Sequence, residues 1–326
     1  MPIFRSRADL PGDFGPCAIT IGNFDGVHIG HQQIIRQVVE RARANGWKAA
    51  ALTFDPHPTR LVAPERVPGL LTTPEQRAQR MLDQGLDEVL ILPFTKEIAA
   101  LTGEQFVCDI LSTRLQSRSV FVGDNFHFGH RAAGNAVSLR DLGKQFGFSV
   151  DILRPITWRG RVVSSSEVRR FIESGDVSRA CRMLGRPYAL EGAVVSGAGI
   201  GSKQTVPTLN LDTKAEVLPH NGVYVTRTHD LGSSREWPSI TNVGYRPTFN
   251  GHGLTIETFL LAPLDGETPK EILVEFLRWV REERKFPNPE ALKAQIFRDV
   301  ARAQAFFRRI SLWAGRNSPE TRAAPR

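Results

Sequence analysis

The sequence predicts an α/β + β protein, in which a parallel sheet with helices on both faces is followed by a small antiparallel β-barrel and a C-terminal helix. Apolar strand patterns alternate with helical patterns over the first half, as they do in parallel α/β sheets. Short apolar runs broken by Gly, Pro and Asn fill most of the second half, which is typical of small barrels. The length of 326 residues exceeds the roughly 100 to 200 residues of one average domain, so two domains are expected.

The first half has the pattern of a Rossmann-like fold, because the apolar runs that could form strands alternate with segments of helical spacing. We expect strands at 17–21, 49–54, 88–93, 119–123 and 148–153. We expect helices at 33–44, 73–84, 103–115 and 135–146, and two more at 167–174 and 177–184.

The alternation of strand and helix patterns gives way to short apolar runs near Arg186, where we place the domain boundary. The expected domains are 1–186 and 187–312, followed by a flexible tail at 313–326. In the second domain we expect strands at 188–195, 208–211, 222–227, 239–243, 255–261 and 271–279. Over 289–310 apolar residues recur at steps of three and four, which predicts one amphipathic helix.

The formal net charge of +8 would by itself suit a nucleic-acid partner. However, residues 278–326 hold 12 lysines and arginines against 5 acidic residues, so the rest of the chain is nearly neutral. The basic character is therefore local, and we expect no nucleic-acid partner. A nucleic-acid-binding protein that uses this basic end stays as an alternative.

The three cysteines, Cys17, Cys108 and Cys181, lie far apart and form no C-x-x-C pair, so neither a disulfide framework nor a cysteine zinc site is indicated. No run approaches the roughly 18 apolar residues of a membrane span, and the first 15 residues lack the apolar region of a signal peptide. We therefore expect a cytoplasmic protein without a membrane partner, as a monomer or a weak homo-oligomer.

The strongest motif, GNFDGVHIGH at 22–31, joins the first strand to the first helix. Glycines let backbone N–H groups approach an anion at a helix start, where the helix dipole also favours negative charge. His28 and His31 share one helix face, and Gly30 between them leaves room for a bound group. Imidazoles so placed can donate hydrogen bonds to phosphate oxygens. Two surface histidines that help to cap the helix are the structural alternative, and a zinc site would find only Asp25 as a third local ligand.

A second motif, SSSEVR at 164–169, precedes a predicted helix. Ser164 and Glu167 fit a capping box, which accounts for those two residues without any ligand. The extra hydroxyls and Arg169, one turn further on, also suit a second anion cradle.

Four motifs resemble those of the bacterial bifunctional riboflavin kinase/FAD synthetase family in order and spacing. They are GNFDGVHIGH at 22–31, TFDPHP at 53–58, SSSEVR at 164–169 and LGRPY at 184–188. HIGH is also the signature of class I aminoacyl-tRNA synthetases, which implies adenylyl transfer, but this chain has no KMSKS-like loop. The resemblance extends from about Cys17 to Phe307.

The resemblance implies that the N-terminal domain is a nucleotidyltransferase that adenylylates FMN to FAD and releases pyrophosphate. His28 and His31 would contact the phosphates of ATP, and Arg169 the leaving pyrophosphate. The implied ATP-binding residues are Gly22, Asn23, Phe24, Asp25, Gly26, Ser164, Ser165 and Ser166, and the implied flavin-binding residues are Phe54, Pro56, His57, Asn125 and Phe128. The chain departs from the family at Asn125 and His127, where Asp and Arg are usual.

In the predicted barrel, Thr208 and Asn210 are two apart on a strand and share a face, so both could offer oxygens to Mg²⁺. Polar residues on a solvent-facing strand are the structural alternative. Glu257 is one carboxylate in an apolar strand, a costly placement unless it has a task or faces water at a sheet edge. A glycine-rich loop that could cover ATP phosphates contains Gly197, Gly199, Gly201 and Lys203.

PTLN at 207–210 matches the riboflavin kinase motif of the same family. The resemblance implies that Thr208 and Asn210 bind Mg²⁺ and ATP, that Glu257 takes the proton of the riboflavin 5′-hydroxyl, and that Arg246 and Arg281 contact flavin. The chain departs from the family at 202–206, where a Gly-Arg-x-Leu-Gly stretch is usual.

Together these features predict an enzyme that phosphorylates riboflavin to FMN in the barrel and converts FMN to FAD in the α/β domain. ATP and riboflavin or FMN would be its small-molecule partners, and Mg²⁺ its cofactor. An adenylyltransferase for another phosphorylated small molecule, with a barrel that only binds, stays as an alternative.

Overall fold

The computed structural model describes residues 3–6, 8–12, 14–195, 208–248 and 251–317. The chain divides into two compact units, Met1–Glu167 and Val168–Arg326. The boundary that we place near Arg186 falls inside the second unit, and an independently folding domain that ends there stays a prediction. Among the described residues, no helix is both long enough and apolar enough to span a bilayer.

The first unit contains a six-stranded, fully parallel sheet in the order β1-β4-β3-β2-β5-β8. Its strands are β1 (Ile3–Phe4), β2 (Cys17–Ile21), β3 (Lys48–Asp55), β4 (Glu88–Pro93), β5 (Ser117–Gly123) and β8 (Ser149–Leu153). Two short hairpins pair β6 (His127–Phe128) with β7 (Gly134–Asn135) and β9 (Thr157–Trp158) with β10 (Arg161–Val162). The chain leaves β2 toward β3 and later adds β5 on the other side of β2. The carboxyl ends of β2 and β5 therefore flank the switch point at which such sheets bind ligands.

Helices cover both faces of this sheet. They are α1 (Ile29–Asn45), α2 (Pro58–Val62), α3 (Pro74–Leu82), α4 (Lys96–Ala100), α5 (Gly103–Phe106) and α6 (Ala136–Phe146). Every residue of β2 is buried because alternate side chains enter the cores on opposite faces. Ile19 packs with Ile110 on one face, and Ala18 packs with Val38 of α1 on the other. The parallel α/β fold predicted from the sequence is confirmed.

One expected helix, at 103–115, has a different form. α5 forms its first turn, and Val107–Arg114 continues as a π-helix in which the Leu115 N–H donates to the carbonyl of Ile110 at 3.0 Å. This widened segment still buries Val107, Ile110 and Leu111 against the sheet. The apolar spacing is therefore satisfied by either helix type, which is why the pattern does not distinguish them.

The second unit contains a closed six-stranded antiparallel barrel in the order β11-β12-β15-β14-β13-β16. The strands are β11 (Tyr188–Val195), β12 (Thr208–Asp212), β13 (Gly222–Asp230), β14 (Glu236–Thr248), β15 (Gly251–Leu260) and β16 (Glu271–Glu282). Two helices precede it, α7 (Ser165–Glu173), which begins in the first unit, and α8 (Val177–Leu184). The predicted barrel is confirmed, and several strands are longer than their apolar cores because backbone pairing continues through polar residues.

A chain of fully buried hydroxyl groups crosses three strands of the barrel. Thr226 lies within 2.8 Å of both Ser239 and Thr241, measured between oxygens, and Ser239 lies 2.8 Å from Thr228. Thr241 extends the chain to Thr258 at 2.9 Å. Because each hydroxyl finds its partner on another hydroxyl, polar side chains can occupy positions that would otherwise need apolar ones.

Helix α9 (Pro289–Asn317) packs on the outside of the barrel. Strand β16 has two bulges opposite β13, and the residues left without a β13 partner are Leu277 and Val280. Both pack against the cluster that contains Ala303 of α9, so the bulges direct extra apolar side chains toward the helix. The helix continues through Asn317 and so includes the first residues of the tail that we expect at 313–326. The rest of that tail lies outside the described residues.

Candidate active sites

The glycine-rich turn after β2 has a backbone that few residue types can adopt. Phe24 and Val27 have φ values of 50° and 43°, and Gly26 has a φ of 76°. A Cβ on Gly30 would lie 3.1 Å from the His28 imidazole, so this glycine allows the ring to pack against the helix backbone. The turn therefore places His28 at the start of α1 at the carboxyl end of β2.

The two histidines form a stacked pair. His28 is the N-cap of α1, and its Nδ1 accepts the N–H of His31 at 3.3 Å. The ring centroids lie 3.6 Å apart, with Phe24 edge-on to His31. Burial lowers the pKa of His31 well below its ordinary value, and the charges of His28 and Arg77 lower it further. Since Nδ1 of His28 accepts a hydrogen bond, its neutral ring carries the proton on Nε2, where it can be donated to an anion.

Asp25, which the resemblance implies for ATP, points its carboxylate toward the segment before α3. It accepts the Leu71 N–H at 3.0 Å and the Thr72 N–H at 3.1 Å, together with the Thr72 hydroxyl at 3.2 Å. These bonds tie the glycine-rich turn to α3, and a direct contact of Asp25 with a nucleotide stays a prediction. No set of three or more His, Cys, Asp or Glu side chains in the described part of the chain is placed to hold a metal.

The other predicted motifs of the first unit meet this turn. The Ser165 hydroxyl donates to the Asp25 carbonyl at 2.9 Å, although the two residues are 140 positions apart in sequence. Ser164 accepts the Glu167 N–H at 3.3 Å, which is one half of the expected capping box. Nδ2 of Asn23 lies 3.0 Å from Nε2 of His57. The structure therefore brings the motifs at 22–31, 53–58 and 164–169 together, and contacts of Ser166 and Arg169 with ATP stay predictions.

Aromatic side chains lie near the ends of neighbouring strands. Phe54 packs edge-to-face on Phe94 at 5.5 Å, and Phe126 stacks on Phe128 at 5.7 Å. Phe128, a predicted flavin contact, is only 7% exposed, whereas Phe54, Phe94 and Phe126 are half-buried and present ring surface. Phe94 and Phe126 do not figure among the residues chosen from the sequence. Each closely follows a strand, and this position next to the ligand-binding edge of the sheet is the sequence signal that could have identified them.

Around this edge, Pro56 and Asn125 are exposed. Asn125 offers its backbone carbonyl to the His127 ring at 2.9 Å, so the two residues that depart from the family contact each other. Contacts of Pro56, His57 and Asn125 with flavin stay predictions.

In the second unit, register places three polar residues in one row across the barrel. Asn210 on β12 is paired with Glu257 on β15, and Glu257 is paired with Asn242 on β14. Residues directly opposite in antiparallel strands project from the same face, and Thr208 shares that face because it lies two residues from Asn210. The segment 242–248 also resembles one that lies near the flavin in the family, but only strand register shows that Asn242 belongs to this row.

Thr208 carries an unusual hydroxyl. Its Oγ1 is buried and makes no hydrogen bond to any part of the chain that the structure describes. This hydroxyl lies on the same strand face as Asn210, whose cross-strand partner is the carboxylate of Glu257. A buried, unpaired hydroxyl in this setting fits an oxygen-liganded cation such as Mg²⁺, because such a cation would satisfy the orphaned oxygen.

Arg281, a predicted flavin contact, is engaged by α9. Its Nε and Nη2 both lie 2.9 Å from Oδ2 of Asp299, which is 4% exposed. Gln295 donates to the other oxygen of Asp299 at 2.8 Å and accepts a hydrogen bond from Arg284. A flavin contact of Arg281 stays a prediction. The side chain of Arg246 and the loop with Gly197, Gly199, Gly201 and Lys203 lie outside the described residues.

Two protein-family models match the chain. The model described as FAD synthetase matches residues 11–167, and the model described as riboflavin kinase matches residues 184–307. A bifunctional riboflavin kinase/FMN adenylyltransferase from Pseudomonas fluorescens is 36% identical over 306 residues, which cover 94% of this chain and 97% of that protein. A protein of the same name from Escherichia coli (strain K12) is 33% identical over 291 residues, which cover 89% of this chain and 93% of that protein.

A crystal structure described as a macrolide-efflux protein from Streptococcus pneumoniae superposes with a TM-score of 0.83 and covers 93% of this chain and 98% of that chain. Its sequence is 24% identical, so this likeness shows the fold alone.

Proposed function

The chain belongs to the bifunctional riboflavin kinase/FMN adenylyltransferase family and carries both activities, and we propose that the residues described above perform them. The two family models assign FAD synthesis to the first part of the chain and riboflavin phosphorylation to the second. Neither an adenylyltransferase with a binding-only barrel nor a nucleic-acid-binding protein is favoured, because the second model is that of a kinase.

In the first unit, an FMN phosphate oxygen attacks the α-phosphorus of ATP as the bond to the β-phosphate oxygen breaks and pyrophosphate leaves. The observation that supports this site is the bond from Ser165 to the Asp25 carbonyl, because it brings the serine motif to the histidine turn. His28 and His31 donate hydrogen bonds to phosphate oxygens at the start of α1, where the helix dipole adds to their effect. The serines and Arg169 bind the departing pyrophosphate, and Phe54, Phe94 and Phe126 provide surface for the flavin ring.

In the second unit, the riboflavin 5′-hydroxyl oxygen attacks the γ-phosphorus of ATP, and ADP leaves. Glu257 accepts the hydroxyl proton, which makes the oxygen a better nucleophile. The row of Asn210, Glu257 and Asn242 supports this assignment, since it sets the carboxylate beside the predicted cation ligands. Thr208 and Asn210 would hold Mg²⁺, which when bound neutralises phosphate charge. Arg246, Arg281 and the glycine-rich loop complete the proposed flavin and ATP contacts.

We also propose that the enzyme works in the cytoplasm, without nucleic-acid partners, as a monomer or weak homo-oligomer. Its three described cysteines are unpaired, and its positive charge belongs to the C-terminal end.

Incubation of the purified chain with riboflavin, ATP and Mg²⁺, followed by separation of the flavins, tests the proposal. We expect FMN to appear first and FAD to follow. Formation of neither product would overturn the proposal, and FAD formed only from added FMN would show that the kinase site is inactive. A reaction without Mg²⁺ tests the metal requirement of both steps.

A further inference from the structure

Arg77 on α3 is a buried charge close to the proposed adenylylation site. The residue is only 1% exposed, and its Nη2 donates to the Phe54 carbonyl at 2.9 Å. Its Nε and Nη1 are buried and make no hydrogen bond to any described residue. An arginine in this state is costly to bury, and an apolar side chain of similar volume would stabilise the fold better. Packing alone therefore does not account for an arginine here.

The charges around Arg77 belong to the segments of the proposed site. Burial lowers the pKa of Arg77, while Asp25, Asp55 and Glu75 oppose that effect. Asp25 lies in the glycine-rich turn and Asp55 ends β3, whereas Glu75 is on α3 itself. The same helix begins just after Leu71 and Thr72, which hold the Asp25 carboxylate. The N-terminal part of α3 therefore contacts the histidine turn through Asp25 and the flavin edge through Phe54.

We propose that Arg77 is a positioning residue for FMN adenylylation, which holds the carboxyl end of β3 to α3 and places a fixed positive charge near the glycine-rich turn. This inference rests on the proposed function of the first unit. Its hydrogen bond fixes the backbone of Phe54, next to the predicted flavin contacts. Its charge disfavours protonation of His31, so that the ring acts as a neutral hydrogen-bond donor.

The pH profile separates this role from a purely structural one. The groups that lower the pKa of His31, besides burial, are His28 on the same helix and Arg77 on α3. If the charge of Arg77 is removed, the pKa of His31 rises, and the neutral ring that we assign to the site becomes an imidazolium at a higher pH. The acidic limb of the profile for FAD formation should therefore move to higher pH. A loss of packing would lower the rate without moving this limb.

The experiment compares R77Q, which keeps a hydrogen-bond donor but loses the charge, with R77K, which keeps the charge. R36Q, at an exposed position on α1, is the matched control. FAD formation from FMN and ATP is measured across pH, and FMN formation from riboflavin is measured on the same protein. We expect both Arg77 variants to lose roughly 10- to 100-fold in kcat for FAD formation and to keep FMN formation. Only R77Q should shift the acidic limb of the pH profile to higher pH.

Wild-type FAD formation by R77Q at every pH would overturn the inference. Equal losses of kcat in R77Q and R77K, with the acidic limb at its wild-type pH in both, would overturn it as well. Arg77 would then have a role in packing only. Absence of FAD formation by the unaltered enzyme would instead overturn the proposed function of the first unit.

Discussion

Asn210 and Glu257 lie directly opposite each other on the antiparallel strands β12 and β15 of the barrel. Their side chains therefore project from the same face, together with Thr208 and Asn242. This relationship sets a carboxylate beside the two predicted Mg²⁺ ligands, although Asn210 and Glu257 are 47 positions apart in the sequence. A base next to the cation is the arrangement that phosphoryl transfer to a hydroxyl requires.

Replacement of Glu257 by Gln should stop riboflavin phosphorylation and spare FAD formation from added FMN. The amide cannot accept the hydroxyl proton as a base, so we expect FMN formation to fall by roughly 10²- to 10⁴-fold. E236Q, at an exposed position on the same barrel, is the control. If both activities of E257Q fell together, the division of the two reactions between the units would be wrong.

FAD formation should not follow the titration of an ordinary histidine. Because the pKa of His31 is lowered by burial, by His28 and by Arg77, the ring stays neutral at the ordinary histidine pKa of about 6.5. The phosphate of FMN itself titrates at about pH 6, so we expect any inflection of kcat/KM for FMN in that range to persist in H31N, together with a large loss of FAD formation in this variant. An inflection near pH 6.5 that disappears in H31N would contradict this reasoning.

Replacement of Ser165 by Ala should weaken FAD formation selectively. The change removes the hydrogen bond to the Asp25 carbonyl, whose net contribution is about 1 kcal/mol, and loosens the contact between the serine motif and the histidine turn. FAD formation and FMN formation are measured on the same protein, which makes the kinase an internal control. An unchanged rate of FAD formation would show that this bond does not position the site.

The buried hydroxyl chain should be sensitive to removal of its middle member, Thr226. In T226V both Ser239 and Thr241 lose a partner inside the barrel, so we expect a loss of about 1 to 3 kcal/mol in the free energy of unfolding. T255V is the control, because that half-buried hydroxyl makes one bond, to the Gly244 carbonyl at 3.3 Å. Denaturant unfolding of both variants gives the comparison, and equal losses would contradict the prediction.

The ion pair between Arg281 and Asp299 should matter for docking of α9. D299N leaves the largely buried guanidinium without its counter-charge, and we expect a loss of about 3 kcal/mol in unfolding free energy. The double variant R281M/D299L removes both charges and should recover most of this loss.

The KM for riboflavin then tests the second role of Arg281. A normal KM in the double variant would show that Arg281 does not bind flavin, whereas a raised KM is expected if it does.

The sequence was sufficient for features that depend on local pattern. The apolar run of β2 predicts a buried strand, because burial imposes that pattern directly. The spacing of Leu292, Ile296 and Val300 predicts the helix α9, but its buried positions are Gln295, Asp299 and Ala303, whereas Leu292 is exposed. Features that depend on distant partners were not accessible. The bond between Ser165 and Asp25, the pairing of Asn210 with Glu257 and the contact of Arg77 with Phe54 each join segments that no short-range pattern connects.

Hairpins formed by β6 with β7 and by β9 with β10 were missed because two-residue strands are too short to show alternation. Phe94 and Phe126 were missed for another reason. Their role follows from lying next to strand ends, so it becomes visible only when strand boundaries are combined with the position of the sheet edge.

The order of the barrel strands also affects how the enzyme is made. Strand β15 lies between β12 and β14 in the barrel although it follows both along the chain. A growing polypeptide therefore carries Thr208 and Asn210 for some time with no carboxylate opposite them, and it gains Glu257 only when residues 251–260 have been synthesised. During translation, the chain thus passes through a stage in which every element of the first unit has been made while the kinase still lacks its base.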